Sequence, residues 1–82
     1  MKVTLSRKAH KQYDRLNEPI RSRVRTALDC LSKEPPQGDI KSLEGRDGYR
    51  VRVGGHRIIF DRIHDTIVVY GIEPRGGAYK RR

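Results

Sequence analysis

The chain has 82 residues, a formal net charge of +9 and a pI near 10.3, and arginine supplies 13 of its 19 basic side chains. Only 34% of residues are hydrophobic and none is Trp, so the expectation is one small domain over residues 1–82 that buries about 60–65% of its unfolded surface. The single cysteine, Cys30, rules out an intramolecular disulfide, and no apolar run nears the ~18 residues of a membrane span or forms a signal peptide's core, which predicts a cytoplasmic protein with no membrane partner.

In Met1 to Leu5, Val3 and Leu5 alternate with Lys2 and Thr4, the pattern of a short strand. Ser6 is a good N-cap, and Ala9, Tyr13 and Leu16 fall at helical spacing, so residues 7–17 read as a first helix. Asn17-Glu18-Pro19 breaks it and starts another, with Asn17 or Glu18 near the cap and the proline in the first turn. Ile20, Val24, Ala27, Leu28 and Leu31 make the second helix's apolar stripe. Cys30 is expected there as a small buried residue, and Pro35-Pro36 lies beyond the helix end. Residues 35–47 read as a polar loop anchored by Ile40 and Leu43.

Tyr49 to Val53 alternates apolar and basic residues, and Ile58 to Phe60 reads as a return strand. Between them Gly54-Gly55 is a two-residue turn that tolerates positive φ at both positions. His64-Asp65 or Asp65-Thr66 turns the chain again. Thr66 to Ile72 is uncharged and rich in β-branched residues, which predicts a strand buried on both faces, and Pro74 ends it. The order β-α-α-β-β-β is an α+β fold, with two N-terminal helices packed on one face of a small, largely antiparallel sheet.

The hairpin has a consequence for function. A two-residue turn pairs Val53 with His56, Arg52 with Arg57, Val51 with Ile58 and Arg50 with Ile59. One face then carries Tyr49, Val51, Val53, Ile58 and Phe60, and the helices should cover it. The other carries Arg50, Arg52 and Arg57. Like charges facing each other across strands cost several tenths of a kcal/mol, so the cluster points to an anion, against the alternative of a solvated polar face. Arginine forks match phosphate oxygens bidentately and stack on bases, and a phosphate-rich partner or an acidic protein is expected. His56 points away from the arginines by register, and His10 and His64 have no partner in the sequence. No Cys/His set has metal-ligand spacing, so no metal and no other cofactor is expected.

The ordered combination of Leu43-Glu-Gly45, Tyr49-Arg-Val-Arg52, Gly55-His-Arg-Ile-Ile-Phe60, the uncharged strand 67–72 and Arg75-x-x-x-Tyr79 resembles the RelE/ParE superfamily of toxin–antitoxin toxins. Within it, the chain looks like the RelE-type ribosome-dependent mRNA endonucleases. The resemblance spans nearly the whole chain in length and element order. It implies a RelE-like toxin of a type II toxin–antitoxin system, a metal-independent endoribonuclease that cleaves mRNA in the ribosomal A site and inhibits translation. The partners it implies are a cognate antitoxin from the same operon, mRNA and 16S rRNA on the ribosome, and operator DNA for the toxin–antitoxin complex.

Carried over position by position, the resemblance gives roles to Arg50, Arg52, Arg57, Arg75 and Tyr79: Arg52, Arg57, Arg75 and Tyr79 are expected in catalysis, and Arg50 in RNA binding, where the basic residues Arg46, Lys41, Lys80 and Arg81 are expected beside it. The chain departs from the family pattern in three places. Many RelE-type toxins have lysines where Arg50 and Arg52 stand, and several relatives have a histidine where Pro74 stands. Lys41 is nearest the place of the family's glutamate base, while Glu44 lies between Leu43 and Gly45.

RNA cleavage without metal needs a base for the 2′-OH, charge stabilisation at the phosphorane and a proton for the 5′ oxygen. Arginines suit the second task because their charge is permanent. Arg57 and Arg75 are expected to clamp the transition state, Arg52 to hold the phosphate beside Tyr79, and Arg50 to position the backbone. Tyr79 has two readings: a base whose pKa the arginines lower, or a surface on which a nucleobase stacks. Glu73 is a candidate ion-pair partner for a nearby arginine. Two other functions sit on the same fold: a ParE-like DNA gyrase inhibitor without nuclease activity, and a non-catalytic RNA-binding relative.

Overall fold

The structure is a computed structural model that describes residues 1–74. Along the chain come β1 (Lys2–Leu5), α1 (Arg7–Asp14), α2 (Ile20–Leu31), β2 (Ile40–Ser42), β3 (Tyr49–Val53), β4 (His56–Ile63) and β5 (Thr66–Pro74). The strands form one sheet in the order β1-β5-β4-β3-β2. Strand β1 runs parallel to β5, and every other neighbouring pair is antiparallel. No helix among the described residues is long and apolar enough to cross a membrane.

The two-residue turn sets the β3–β4 register. Tyr49 pairs with Phe60, Arg50 with Ile59, Val51 with Ile58, Arg52 with Arg57 and Val53 with His56, as alternation in the sequence requires. Only Gly54 uses positive φ, at 57°, so the turn needs glycine at its first position and not at both. Val51, Val53, Ile58 and Phe60 are buried, joined in the core by Ile67, Val69 and Ile72 of β5.

The helices supply the other half of that core. Ser6 caps α1, its Oγ accepting the Ala9 N–H at 3.1 Å, and Ala9 is fully buried. Helix α2 buries Val24 and Leu31 and packs Ile20, Ala27 and Leu28 against the same cluster. Cys30, expected inside, is only half-buried. Helix α1 is shorter than the 7–17 expected, because the chain turns off at Arg15, whose N–H donates to Gln12 O at 3.2 Å, and Leu16 N–H then donates to Tyr13 O at 3.1 Å.

Strand β1 covers β5 only as far as Leu5, which pairs with Val69. Beyond it α1 takes over the edge. Ser6 N–H donates to Val69 O at 2.9 Å, Ser6 Oγ to Tyr70 O at 3.2 Å, and Ile72 N–H to Gln12 Oε1 at 2.7 Å. The N-cap Ser6 and the helix side chain of Gln12 thus satisfy backbone groups that a further strand would otherwise claim.

Two further expectations need correction. The segment 35–47 contains a strand, β2, which pairs Ile40 with Val51, Lys41 with Arg50 and Ser42 with Tyr49. Three residues with one apolar side chain carry no readable period, and β2 exists because the edge of β3 needs a partner. Strand β5 is not buried on both faces: Ile67, Val69 and Ile72 are inside, Val68 is half-buried, and Tyr70 is 45% exposed. A bulge facing Ile59 and Phe60 shifts the register from Ile59↔Gly71 to Phe60↔Val69, which turns Tyr70 outward.

Candidate phosphate-binding site

The open face of the sheet gathers its charge through two antiparallel pairings. Lys41 of β2 stands directly opposite Arg50 of β3, and Arg52 of β3 directly opposite Arg57 of β4. Each pair sets two cations side by side, a cost of several tenths of a kcal/mol in the absence of a counter-ion. Ile59, flanked by Arg50 and Gly71 in register, lies on this face and is only 7% exposed.

The loop between β2 and β3 builds the rim. Leu43 N–H donates to Gly48 O at 3.0 Å and closes it. Gly48 sits at φ 115°, and a Cβ there would stand 3.1 Å from Leu43 Cδ1 and 3.3 Å from Phe60 O, so only glycine lets the loop fold this tightly onto the strand. The result is an open depression of about 570 Å³ lined by Lys41, Ser42, Leu43, Glu44, Arg46, Arg50 and Arg57. Four cations face one carboxylate in that lining. Arg50 Nη1 is shielded from solvent and has no hydrogen-bond partner among the described residues, which leaves it a donor open to an acceptor that those residues do not provide.

Arg57 is held differently. Its Nη2 lies 3.7 Å from Glu73 Oε1, and Glu73 is its register partner on β5. Glu73 Oε2 lies 3.8 Å from Lys8 Nζ on α1. The acid foreseen near an arginine therefore bridges the sheet to the first helix. Helix α1 adds basic groups that the sequence reading left unassigned: Arg7, Lys8, Lys11 and Arg15 border a second shallow surface. Their spacing of four, Arg7 to Lys11 to Arg15, opposite Ala9 and Tyr13, was the signal available.

The expected site residues thus separate into groups. Lys41, Arg46, Arg50 and Arg57 share the depression. Arg52 faces Arg57 in register but is exposed, and it borders a cleft of about 430 Å³ between α2 and β3 with Ser22, Thr26, Cys30 and Gly38. Arg75, Tyr79, Lys80 and Arg81 lie outside the described residues. His56 is paired with Val53, on the side away from the arginines. His10 does have a partner, with Nδ1 3.2 Å from Asp14 Oδ2 one helical turn on. His64 takes φ 56° in the β4–β5 turn. Among the described residues no three His, Cys, Asp or Glu side chains converge as a metal site.

Two helices packed on a five-stranded mixed sheet make a fold shared with solved RelE-type toxins. A sequence model described as ParE toxin of type II toxin-antitoxin system, parDE, matches residues 3–79. The chain belongs to that family, and it is a type II toxin–antitoxin toxin of the RelE/ParE superfamily.

Its fold is similar to that of RelE in the RelB–RelE antitoxin–toxin complex from Methanococcus jannaschii, with a TM-score of 0.75, 25% identity, and 92% of this chain and 93% of that chain covered. It is equally similar to the archaeal RelE–RelB complex from Pyrococcus horikoshii, with a TM-score of 0.75, 27% identity and coverage of 93% and 96%. The fold alone is shared with the intact RelBE toxin–antitoxin complex of E. coli, at 19% identity, a TM-score of 0.76 and coverage of 89% and 94%. No functionally curated protein matches the sequence significantly.

Proposed function

We infer that this toxin is a RelE-type endoribonuclease that cuts mRNA held in the ribosomal A site and is neutralised by a cognate antitoxin. The observation that carries the reading is the pair of facing cations Lys41 and Arg50, with Arg46 and Arg57 beside them in one depression. Such a cluster is unfavourable until an anion arrives, and a nucleic-acid backbone brings anions at regular spacing. Permanently charged guanidiniums stabilise the phosphorane that forms when a 2′-oxygen attacks the adjacent phosphate. Arg75 and Tyr79 complete the proposed set, Arg75 at the phosphorane and Tyr79 as base or stacking surface. The ribosome supplies the alignment of 2′-oxygen and phosphate, so little cutting of naked RNA is expected.

The antitoxin follows from the company the fold keeps: the solved relatives above are antitoxin–toxin complexes. An acidic or amphipathic segment laid across the basic depression is the partner that charge complementarity favours.

A second reading has its own support. The matching family model is that of ParE, and a ParE-like toxin would inhibit DNA gyrase by binding without cutting anything. Purified protein added to translating ribosomes, with the message mapped by primer extension, separates the two. Cuts that require ribosomes and disappear with Arg50→Ala support the nuclease. Intact message together with loss of gyrase supercoiling in a parallel assay supports the ParE-like reading.

A further inference from the structure

We propose that Glu73 is the positioning residue of the basic depression: its carboxylate holds Arg57 in the unliganded protein and passes to Lys8 when a phosphate engages Arg57. The inference rests on the RNA-binding reading of the depression.

Glu73 stands between the open sheet face and α1. One carboxylate oxygen is 3.7 Å from Arg57 Nη2 and the other 3.8 Å from Lys8 Nζ. Both distances exceed the roughly 2.7–2.9 Å of a tight charge-assisted hydrogen bond, so neither cation saturates the acid. The side chains are 29%, 31% and 67% exposed for Arg57, Glu73 and Lys8. Pairs at that exposure are weak and exchange readily. Gly71 makes the space, since a Cβ there would stand only 3.1 Å from Glu73 Oε2.

The carboxylate therefore stands in for the phosphate at Arg57. It keeps the guanidinium on the open face, β4 supplying the arginine and β5 the acid in register. A phosphodiester that takes Arg57 must displace Glu73. An acid left between a phosphate and no cation would oppose binding; Lys8, already within reach on α1, receives it. A singly charged acid gains too little to drive the exchange, whereas a strand that also engages Lys41, Arg46 and Arg50 gains enough. Glu73 thus biases the depression toward polyanions.

The test is a double-mutant cycle on the full chain, read as Kd for a non-cleavable 2′-O-methyl RNA oligonucleotide. Glu73→Gln is expected to tighten binding roughly two- to fivefold, the scale of a partly exposed ion pair. In the Arg57→Ala background the same substitution is expected to change nothing. An equal tightening in both backgrounds overturns the proposal, because Glu73 then acts only through the overall field. No change, or weakening, with Glu73→Gln overturns it as well. Lys8→Met, at an exposed position that folding tolerates, is expected to weaken binding, and the loss should vanish when Glu73 is already Gln. A loss independent of Glu73 removes the hand-over to Lys8. If Arg57→Ala and Arg50→Ala both leave the RNA affinity untouched, the RNA-binding reading itself falls and takes this inference with it, an outcome distinct from the others.

Discussion

Gln12 and Ile72 are joined by a single hydrogen bond, Ile72 N–H to Gln12 Oε1 at 2.7 Å, and it fastens helix α1 to the part of β5 that β1 does not reach. Removing the side-chain acceptor leaves a partly buried N–H without a partner. Gln12→Ala is expected to cost about 1–2 kcal/mol. In a domain of this size that lowers the melting temperature by roughly 4–8 °C per kcal/mol. Gln12→Glu keeps an acceptor and should cost less. Thermal unfolding of the two variants checks the claim, and equal losses would contradict it.

The hairpin turn makes a sharper pair. Gly54 sits at φ 57°, and a Cβ there would stand 3.1 Å from Ile20 Cδ1 and 3.2 Å from Arg23 Nη1 on α2. Gly55 has nothing within 4 Å of its position. Gly54→Ala is expected to destabilise by about 1 kcal/mol or more, and Gly55→Ala to be near neutral or slightly stabilising through the unfolded chain. Urea midpoints that move equally for both would count against the turn described here.

An acid, Glu18, stands just ahead of helix α2, whose N-cap is Pro19. Glu18 Oε1 accepts Ser22 Oγ at 2.7 Å and Ser22 N–H at 3.1 Å. The hydroxyl bond first, then the backbone bond, with Arg21 adding attraction, hold the Glu18 carboxyl below its ordinary range. The folded state then binds this proton less readily than the unfolded state does. Its contribution to stability is present above the unfolded pKa and is lost as pH falls through the folded one. The difference between wild type and Glu18→Gln in urea midpoint should therefore shrink on acidification. A gap that stays constant from neutral to acid pH would show that the charge is irrelevant.

Phosphate contacts have a salt signature. Each cation removed from a single-strand contact lowers the slope of log K against log salt by about 0.7. Arg50→Ala and Arg46→Ala are each expected to lower it by about that amount for single-stranded RNA. Arg62, paired with Glu34 at 3.7 Å and absent from the depression's lining, is the control with a smaller change. Equal slopes for all three variants would reduce the depression to general surface charge.

Much of this arrangement can be read from residues. Tyr49 to Val53 and Gly54-Gly55 dictate their own register, because a period of two and a two-residue turn leave no other pairing that buries Val51 and Ile58 together. That register alone puts Arg50, Arg52 and Arg57 on one face. It does not say which of them share a depression. That depends on β2, whose Lys41 meets Arg50, and on the glycine-closed loop that brings Arg46 to the same rim. Both are decided by the edge of β3 and not by local pattern. The outward turn of Tyr70 was hidden for a similar reason. A run of β-branched residues gives no hint of a bulge, which arises from pairing with β4. The bridge from Arg57 through Glu73 to Lys8 joins residues far apart in sequence and follows only once α1 is seen to replace β1 along β5.

The most direct test of the central claim is induced expression in bacterial cells, with primer-extension mapping of a translated message and topoisomer analysis of a plasmid in the same cultures. Wild type would run beside Arg50→Ala and Arg57→Ala, each confirmed folded by its melting curve. The account predicts growth arrest with new cuts in the translated message, both weakened in the two variants, and unchanged supercoiling. Arrest with an intact message and altered supercoiling would contradict it and give the chain to the gyrase-inhibiting branch of its family.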